Sequence, residues 1–312
     1  MKLVDIAIYL GAKSIRFLSN FIGVSKISRI YNKLILNHIT EPIVTSKMKN
    51  GTLIRVDLRS HTEFLAYYRG EYDTDFINAV LSLIDPNSIF LDIGANIGFY
   101  TIAIGDFFRR NATSGHVIAF EPFAANFNRT IENIKDNSLT NWCSVYNFGL
   151  SNNSREDLLV LREDFLEGAI TGNASIATDS NFDNGFIKVL IKVEKLDDIW
   201  KTYGTNGTRI DFIKIDIEGH EDFCLMGGQE TIKIDRPTIL MEVNKPYYQS
   251  RNVELNKVFF SLIPDNYIIY RKDETSWEVI TDFDSCNVVD HVFLVPNEKA
   301  LLGNYKCLLN LK

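Results

Sequence analysis

From residue 88 onward, short runs of apolar and β-branched residues alternate with stretches whose apolar residues recur at helical spacing. Five runs are typical of buried strands: Ser88–Ile93, His116–Phe120, Cys143–Phe148, Asp211–Ile217 and Thr238–Val243. The stretches that predict helices are Ile97–Phe108, Phe123–Lys135 and Glu221–Ile234. Strands that alternate with helices predict an α/β fold with a mostly parallel sheet covered on both faces. Right-handed crossovers make the sheet doubly wound, and its ligands then bind at the carboxyl ends of the strands.

Between the third and fourth strands the pattern changes to an alternation of polar and apolar residues. Asp157–Leu161 and Phe186–Val193 show it, and we predict a strand insertion near residues 157–192, built as a hairpin or as edge strands. The tail carries two more strand-like runs, Tyr267–Arg271 and His291–Val295, with little helical spacing between them.

The chain begins with an N-terminal arm (1–50), followed by a lead-in segment (51–87) and the main domain (88–312). In the first forty residues, six basic side chains stand against one acidic side chain: Lys2, Lys13, Arg16, Lys26, Arg29 and Lys33 against Asp5. Apolar residues recur there at helical spacing, but charges interrupt them too often for a membrane span of about 20 apolar residues. Asp5 also interrupts the apolar core that a signal peptide requires. Two interpretations remain open: the arm packs on the main domain, or it lies on an anionic membrane as a basic amphipathic helix.

The composition excludes some classes of binding partner and favours one cellular compartment. The 312 residues include 33 Lys and Arg against 40 Asp and Glu, a net charge of 33 − 40 = −7, which argues against the broad basic face that nucleic acid requires. Four cysteines stand far apart without a C-x-x-C pair, so zinc and redox motifs receive little support. We expect a cytoplasmic protein in a reducing compartment, with peripheral contact at the inner membrane face if the arm binds lipid. The sequence carries no signal for an oligomeric state.

The loop after the first strand has the residues of a cofactor site. Asp92, Gly94, Asn96 and Gly98 lie between that strand and its helix, where glycines allow a sharp turn and the helix offers unpaired N–H groups. Glu121 ends the second strand, and a carboxylate there can accept two hydrogen bonds from the hydroxyls of a ribose. This pattern predicts a nucleoside cofactor.

Two kinds of nucleoside cofactor fit such a loop. A dinucleotide requires G-x-G-x-x-G for its pyrophosphate, whereas this chain has Asn96 and Gly98 there and the acidic Asp92 before the first glycine. Negative charge suits a cationic ligand, so the sequence favours S-adenosylmethionine and methyl transfer. The alternatives are an NAD-type oxidoreductase and a non-catalytic, membrane-associated cofactor-binding module.

The end of the fourth strand carries a cluster of ionisable side chains. In an extended segment Asp216, Glu218 and His220 would project to one side, and Glu242 and Asn244 end the neighbouring strand. Adjacent buried acids are costly unless they share a proton, a cationic ligand or a metal. A divalent metal is one option, and its ligands would be Asp216, Glu218, His220 and Glu242.

Methyl transfer to a hydroxyl requires a group that removes or shares the hydroxyl proton. His220 is the first candidate for this base because an imidazole titrates near neutral pH, and Asp216 is the second. Glu218 completes the predicted catalytic set. A scaffold protein has no need of such a cluster, which argues against the non-catalytic alternative.

Three strings of this chain resemble the FkbM family of S-adenosylmethionine-dependent methyltransferases: FLDIGANIGFYT at Phe90–Thr101, AFEP at Ala119–Pro122 and DFIKIDIEGHE at Asp211–Glu221. The resemblance extends over roughly Leu53–Asn244 and implies a class I, Rossmann-like methyltransferase fold. Its sheet would have seven strands, one of the last two antiparallel. It also implies O-methylation of a hydroxyl on a sugar, glycan or natural product, so the expected partner is a glycan or small-molecule acceptor.

The resemblance also implies roles for particular residues. Asp92, Gly94, Asn96 and Gly98 would surround the methionine end of the cofactor, and Glu121 would hold its ribose. Residues that would contact the adenine are Phe123, Gly149, Leu150 and Ser151.

Overall fold

The computed structural model describes residues 10–11, 13–15, 17, 24–178, 183–203, 208–273 and 276–309. The helices within these ranges are α1 (Val24–Leu36), α2 (His61–Arg69), α3 (Thr74–Leu83), α4 (Phe99–Arg110), α5 (Ala124–Asp136), α6 (Glu163–Leu166), α7 (Leu196–Tyr203), α8 (Glu221–Gly227), α9 (Gln229–Asp235), α10 (Lys245–Ser250), α11 (Leu255–Leu262), α12 (Asn297–Ala300) and α13 (Gly303–Leu308). The strands are β1 (Ile43–Lys47), β2 (Leu53–Asp57), β3 (Ile89–Ile93), β4 (His116–Phe120), β5 (Cys143–Tyr146), β6 (Gly149–Ser151), β7 (Arg155–Leu161), β8 (Ala174–Ile176), β9 (Ile187–Lys195), β10 (Ile210–Ile215), β11 (Thr238–Asn244), β12 (Tyr267–Lys272), β13 (Trp277–Ile280) and β14 (Val289–Pro296).

The main sheet has the strand order β13-β12-β14-β11-β10-β3-β4-β5. Strands β5, β4, β3, β10 and β11 are mutually parallel, and β14 is antiparallel to both β11 and β12. The predicted α/β doubly wound, mostly parallel sheet is therefore present. Its strand number differs from the expected seven: eight strands are described, because β13 folds back on β12 as an antiparallel hairpin partner and extends that edge.

Apolar side chains on both faces of the sheet account for its central position. Phe90 on β3 stacks on Phe212 of β10 with ring centroids 5.5 Å apart, and both are fully buried. All seven residues of β11 are buried, as expected for a central strand covered by helices on both sides. Burial of each Phe is worth about 1.5–3 kcal/mol. This rigid sheet holds the strand ends in fixed relative positions.

The predicted insertion is a second sheet with the strand order β6-β9-β7-β8. It begins at Gly149, earlier than expected, because residues 149–151 pair in parallel with β9 instead of forming a loop. Hydrogen bonds attach the segment before β8 to the lead-in segment and to α5: Ile170 N donates to Asp57 Oδ2 over 3.0 Å, and Asn126 exchanges two hydrogen bonds with the backbone of Gly172. The insertion is thereby fixed over the carboxyl ends of β3 and β4.

The described part of the arm contacts the lead-in segment. Asn32 Nδ2 on α1 donates to the carbonyl oxygen of Leu58 over 2.6 Å, and β1 pairs with β2 across the boundary at residue 50. Three of the charged arm residues, Lys2, Asp5 and Arg16, lie outside the described residues.

Within the described residues, no helix combines the length and the apolar character that crossing a membrane would require.

Candidate active site

A cavity of about 680 Å³ lies at the carboxyl ends of β3, β4, β10 and β11. Its other walls come from the segment that joins α2 to α3, from β14 and from the second sheet. A volume of this size is typical of a site for a small molecule or cofactor, about 300–1,000 Å³. The cavity is where a doubly wound sheet binds its ligands.

The loop after β3 reaches the cavity through Gly94 and Asn96. Gly94 has φ +77°, and a Cβ atom on it would lie 2.0 Å from the carbonyl oxygen of Asp216, so only glycine fits there. Asn96 also has a positive φ, +52°, which asparagine tolerates better than most residues. The two loops are therefore in direct backbone contact beside the cavity.

Asp92 and Gly98 lie behind this loop and do not line the cavity in the described structure. Asp92 is fully buried, and its Oδ2 accepts hydrogen bonds from the backbone N–H (3.0 Å) and the hydroxyl (2.6 Å) of Thr101 in the first turn of α4. Gly98 is the N-cap residue of α4, with φ +90°. The cavity lining gives no support to the predicted contacts of these two residues with the cofactor: Asp92 holds the first turn of α4, and Gly98 begins that helix.

Glu121 lines the cavity at the end of β4. Its Oε2 accepts a hydrogen bond from Asn96 N over 2.8 Å, and its Oε1 accepts one from Phe123 N over 2.9 Å. Burial raises the pKa of this carboxyl to about 7, although these backbone hydrogen bonds oppose the shift. Glu121 therefore links the glycine loop to the next helix and remains at the cavity surface.

Two of the four residues predicted to contact the adenine lie at the cavity. Gly149 and Leu150 line the cavity, but Phe123 and Ser151 do not in the part of the chain that is described. The Phe123 ring packs on Phe165 with centroids 5.4 Å apart. Further apolar lining at this end comes from residues that the sequence did not single out: Pro122, Leu159 and Ile176.

The segment Asp216 to His220 does not continue β10 as an extended strand, so the expectation that its three ionisable side chains share one side is wrong. Glu218 and Gly219 have φ +53° and +87°, and they bend the chain. A Cβ atom on Gly219 would lie 2.2 Å from Cβ of Tyr247, so the bend requires glycine. Asp216 and Glu218 line the cavity, whereas His220 faces away from it.

His220 is a buried structural residue at the N-cap of α8. Its Nε2 is 2.9 Å from the hydroxyl oxygen of Ser151, and its ring packs on Phe223. Burial, reinforced by the positive charges of Arg251 and Arg155, lowers the pKa of the imidazole to about 3. The prediction that His220 is the catalytic base or a metal ligand is therefore not retained, because the ring is neither at the cavity nor basic.

Asp216, Glu218 and Glu242 form the acidic cluster of the site. One oxygen from each carboxylate lies within 4.8 Å of the other two. The Glu218 carboxylate accepts hydrogen bonds from the side-chain amides of Asn173 and Asn244, each over 3.2 Å. Burial and the neighbouring acids raise the pKa values of Glu218 and Glu242.

Lys214 is a site residue that sequence reasoning missed. Its buried ammonium donates to the carbonyl oxygen of Gly94 over 2.9 Å and lies 3.3 Å from Asp216 Oδ2 and 3.6 Å from Asp92 Oδ1. Burial disfavours the charged form, but the combined attraction to the neighbouring carboxylates outweighs it and raises the pKa of Lys214. A signal was available, since Lys214 lies in a central strand whose other residues, apart from Asp211, are apolar, and a buried lysine needs a compensating anion.

A further wall of the cavity is built by residues before α3 and on β14. Tyr72 stacks on Phe99 with ring centroids 4.1 Å apart, and the Tyr100 hydroxyl donates to Asp73. His291 lies on β14 directly across the strand register from Glu242 and also lines the cavity. Burial raises the pKa of Asp73, and the proximity of His291 opposes that rise.

Negative charge dominates the lining of this cavity. Among the described residues, its walls carry seven carboxyl groups, from Glu71, Asp73, Asp75, Glu121, Asp216, Glu218 and Glu242. Two side chains with permanent positive charge, Arg69 and Lys214, accompany them. Such a lining attracts a cationic ligand and repels a diphosphate.

Comparisons with known proteins point to one family. The family model of the methyltransferase FkbM domain matches residues 92–267, more than half of the chain. Methyltransferase sdnD of Sordaria araneosa is 26% identical over 167 residues, which cover 47% of this chain and 62% of that protein. The chain thus spans less than two thirds of the length of this curated relative.

Solved structures give weaker likenesses. The crystal structure of methyltransferase FkbM from Methylobacillus flagellatus KT has a TM-score of 0.42 at 19% identity, covering 75% of this chain and 52% of that one. An O-methyltransferase from Bacillus cereus, solved in complex with SAH, has a TM-score of 0.41 at 15% identity, covering 72% of this chain and 80% of that one.

Proposed function

Because this chain belongs to the methyltransferase FkbM domain family, we propose that it transfers the methyl group of S-adenosylmethionine to a hydroxyl of a sugar, glycan or related natural product. The observation that carries this proposal is the cavity at the strand ends, where a carboxylate suited to a ribose, a glycine loop and an excess of negative charge meet. The acceptor class rests on the family resemblance of the motifs.

The cofactor is proposed to lie along the glycine loop. Gly94 and Asn96 would flank its methionine end, Glu121 would accept hydrogen bonds from the ribose hydroxyls, and Pro122 and Leu150 would pack on the adenine. The sulfonium and ammonium groups of S-adenosylmethionine suit an acidic cavity. The pyrophosphate of NAD does not, so the oxidoreductase alternative ranks second.

The acceptor is proposed to enter between the stacked rings of Tyr72 and Phe99 and the acidic cluster. Tyr72 offers a ring held rigid by its stacking on Phe99, and a flat aromatic face suits the apolar face of a sugar. Asp216 and Glu218 can accept hydrogen bonds from sugar hydroxyls at the opposite side. These contacts would hold one hydroxyl oxygen in line with the methyl carbon and the sulfur.

Among the imidazoles near the site, His291 is the best placed to accept the hydroxyl proton. His220 is buried away from the cavity. His61 Nε2 lies 3.0 Å from the Arg29 guanidinium. Because a guanidinium can only donate hydrogen bonds, this His61 nitrogen is already used as an acceptor. His291 lines the cavity between Asp73 and Glu242. We therefore assign to His291 the role of base that the motif had suggested for His220.

The reaction then balances without a further reactant. The hydroxyl oxygen forms a bond to the methyl carbon, the carbon–sulfur bond breaks, and its electron pair stays on sulfur. The products are a methyl ether and S-adenosylhomocysteine, and the proton goes to His291. Incubation of the full chain with methyl-labelled S-adenosylmethionine and a panel of glycans tests the proposal: label in an ether supports it, and label on nitrogen or carbon alone overturns the acceptor assignment.

We also propose that the arm places the protein against an anionic membrane on its cytoplasmic side. Helix α1 turns Ser28 and Asn32 inward and leaves Ile27, Ile30 and Leu34 exposed. Lys26, Arg29 and Lys33 are exposed on the same helix. Apolar residues bordered by cations are typical of helices that lie in the lipid headgroup region.

A further inference from the structure

The acidic cluster holds more negative charge than the neighbouring residues compensate. Asp216, Glu218 and Glu242 contribute three carboxylates, and Lys214, 3.3 Å from Asp216 Oδ2, contributes one ammonium. If all are ionised, the negative charge of this group exceeds its positive charge by two, and Asp92, 3.6 Å from the same ammonium, adds a further carboxylate. Buried like charges at this separation are unfavourable unless a cation is present.

Glu242 supplies a second, independent observation. Its side chain is only 7% exposed, and its Oε2 is buried without a hydrogen-bond partner among the described residues. Buried polar atoms in folded proteins are nearly always paired, so an unpaired carboxylate oxygen at a cavity wall indicates a ligand that binds there. The oxygen belongs to a side chain that points at Asp216 and Glu218.

We propose that Asp216, Glu218 and Glu242 bind a divalent cation of the hard class, such as Mg²⁺, Mn²⁺ or Ca²⁺. Carboxylate oxygens are the ligands that these ions prefer, and the absence of thiolate or imidazole from the trio disfavours zinc. Oxygens within 4.8 Å of one another can all contact one ion, since ligands on opposite sides of Ca²⁺ are about 4.6–5.2 Å apart. The charge of a divalent ion is also favourable, because it offsets the excess negative charge of these carboxylates.

Neighbouring residues already hold the carboxylates of the trio in position. Asn173 and Asn244 donate to the two oxygens of Glu218 and fix its orientation, as residues around a metal ligand commonly do. The left-handed conformation of Glu218 and the glycine that follows it turn its side chain toward Glu242. His220, which the sequence offered as a fourth ligand, is excluded by its position.

The cation would lie in the same cavity as the proposed acceptor. A hydroxyl bound to a divalent ion loses its proton more readily, as bound water does. This site goes beyond the proposed function, because methyl transfer by itself requires only a positioned hydroxyl and a base. The competing occupant is a protonated amine of the acceptor, which would satisfy the same carboxylates.

Titration of the full chain with Mn²⁺ alone, in the absence of cofactor and acceptor, tests the site. Isothermal calorimetry, checked by the electron spin resonance of free Mn²⁺, should show one saturable site per chain. Glu242→Gln and Glu218→Gln should each weaken Mn²⁺ binding by at least about tenfold. Glu71→Gln is the matched control, since Glu71 lines the same cavity but pairs with Lys49 at 2.9 Å, and its Mn²⁺ affinity should equal that of the parent.

Two results would overturn the proposal: a folded parent chain that binds no Mn²⁺ at millimolar concentration, or binding that Glu242→Gln leaves unchanged. Thermal unfolding of each variant establishes that it is folded, and Mn²⁺ should raise the melting temperature of the parent more than that of Glu242→Gln. Because cofactor is absent throughout, a failure of this titration leaves the methyltransferase proposal intact. In the same way, a chain that binds Mn²⁺ but not S-adenosylmethionine would fail the proposed function alone.

Discussion

Replacement of Glu121 by glutamine is expected to weaken the binding of S-adenosylmethionine while leaving the chain folded. The change conserves shape, and one oxygen remains to accept a backbone hydrogen bond from Asn96 or Phe123. What is lost is the negative charge that the two ribose hydroxyls would contact. A hydrogen bond to a charged group is worth about 1.5–3 kcal/mol, which corresponds to a dissociation constant raised by about 10- to 150-fold.

The same residue predicts how cofactor affinity changes with pH. Burial raises the pKa of Glu121 to about 7 in the cofactor-free chain, so near neutral pH a substantial fraction of this carboxyl is protonated. Ribose hydroxyls donate to the ionised form and favour it, so binding should release protons and should tighten as pH rises from about 6 to 8. In Glu121→Gln this part of the pH dependence should vanish.

Isothermal titration at several pH values, in two buffers of different ionisation enthalpy, measures both the affinity and the proton release. Glu71→Gln serves as the control, because it removes a carboxylate from the same cavity without touching the ribose position. Unchanged cofactor affinity in a folded Glu121→Gln variant would refute the assignment of Glu121 to the ribose. A pH dependence that persists in the variant would refute the role of its ionisation.

Three further predictions concern other parts of the chain. His291→Gln should lower turnover by about 10²–10⁴-fold with cofactor affinity nearly intact, whereas His220→Gln should leave turnover near that of the parent; the reverse order in steady-state kinetics would restore His220 as the base. Burial raises the pKa of Glu63 from 4.5 to about 8, so this group makes stability fall as pH rises between those values, by up to about 1.4 kcal/mol per pH unit. Glu63→Gln should remove that decline in urea unfolding measured at low and high pH, and an unchanged slope would show that another group causes it. Ile30→Glu on α1 should reduce co-sedimentation with anionic vesicles at low salt, and a parent chain that stays in the supernatant would dismiss membrane contact.

The alternation of strands and helices was sufficient to predict the parallel part of the sheet and the edge where the site lies. Runs such as Thr238–Val243 are apolar on both faces, and only a central strand buries both faces, so the sequence pattern and the position in the sheet agree. The strand pairing of residues 149–151 with β9 was not predictable, because so short a run carries no periodicity. The same holds for β13, a run of four residues whose place in the sheet depends on its antiparallel pairing with β12.

The sequence predicted the residues of the site better than their relative positions. Asp216 and Glu218 reach the cavity as expected, but His220 does not, because a residue with positive φ, Glu218, turns the chain before it. Glycine is the clearest signal of such a bend in a sequence, but Gly219 alone does not indicate the direction in which the chain turns. Lys214 was overlooked because two of its three partners, Asp92 and the Gly94 carbonyl, lie more than a hundred residues earlier in the chain; the third, Asp216, is only two residues away.

A crystal structure of the chain with S-adenosylhomocysteine bound is the most direct test of the central claim. We expect the adenosine in the cavity at the ends of β3 and β4, with both ribose hydroxyl oxygens about 2.5–3.0 Å from the Glu121 carboxylate. We also expect the sulfur to face the side of the cavity that holds Asp216 and His291. A nucleoside bound elsewhere, or one whose ribose lies beyond hydrogen-bonding distance of Glu121, would contradict it.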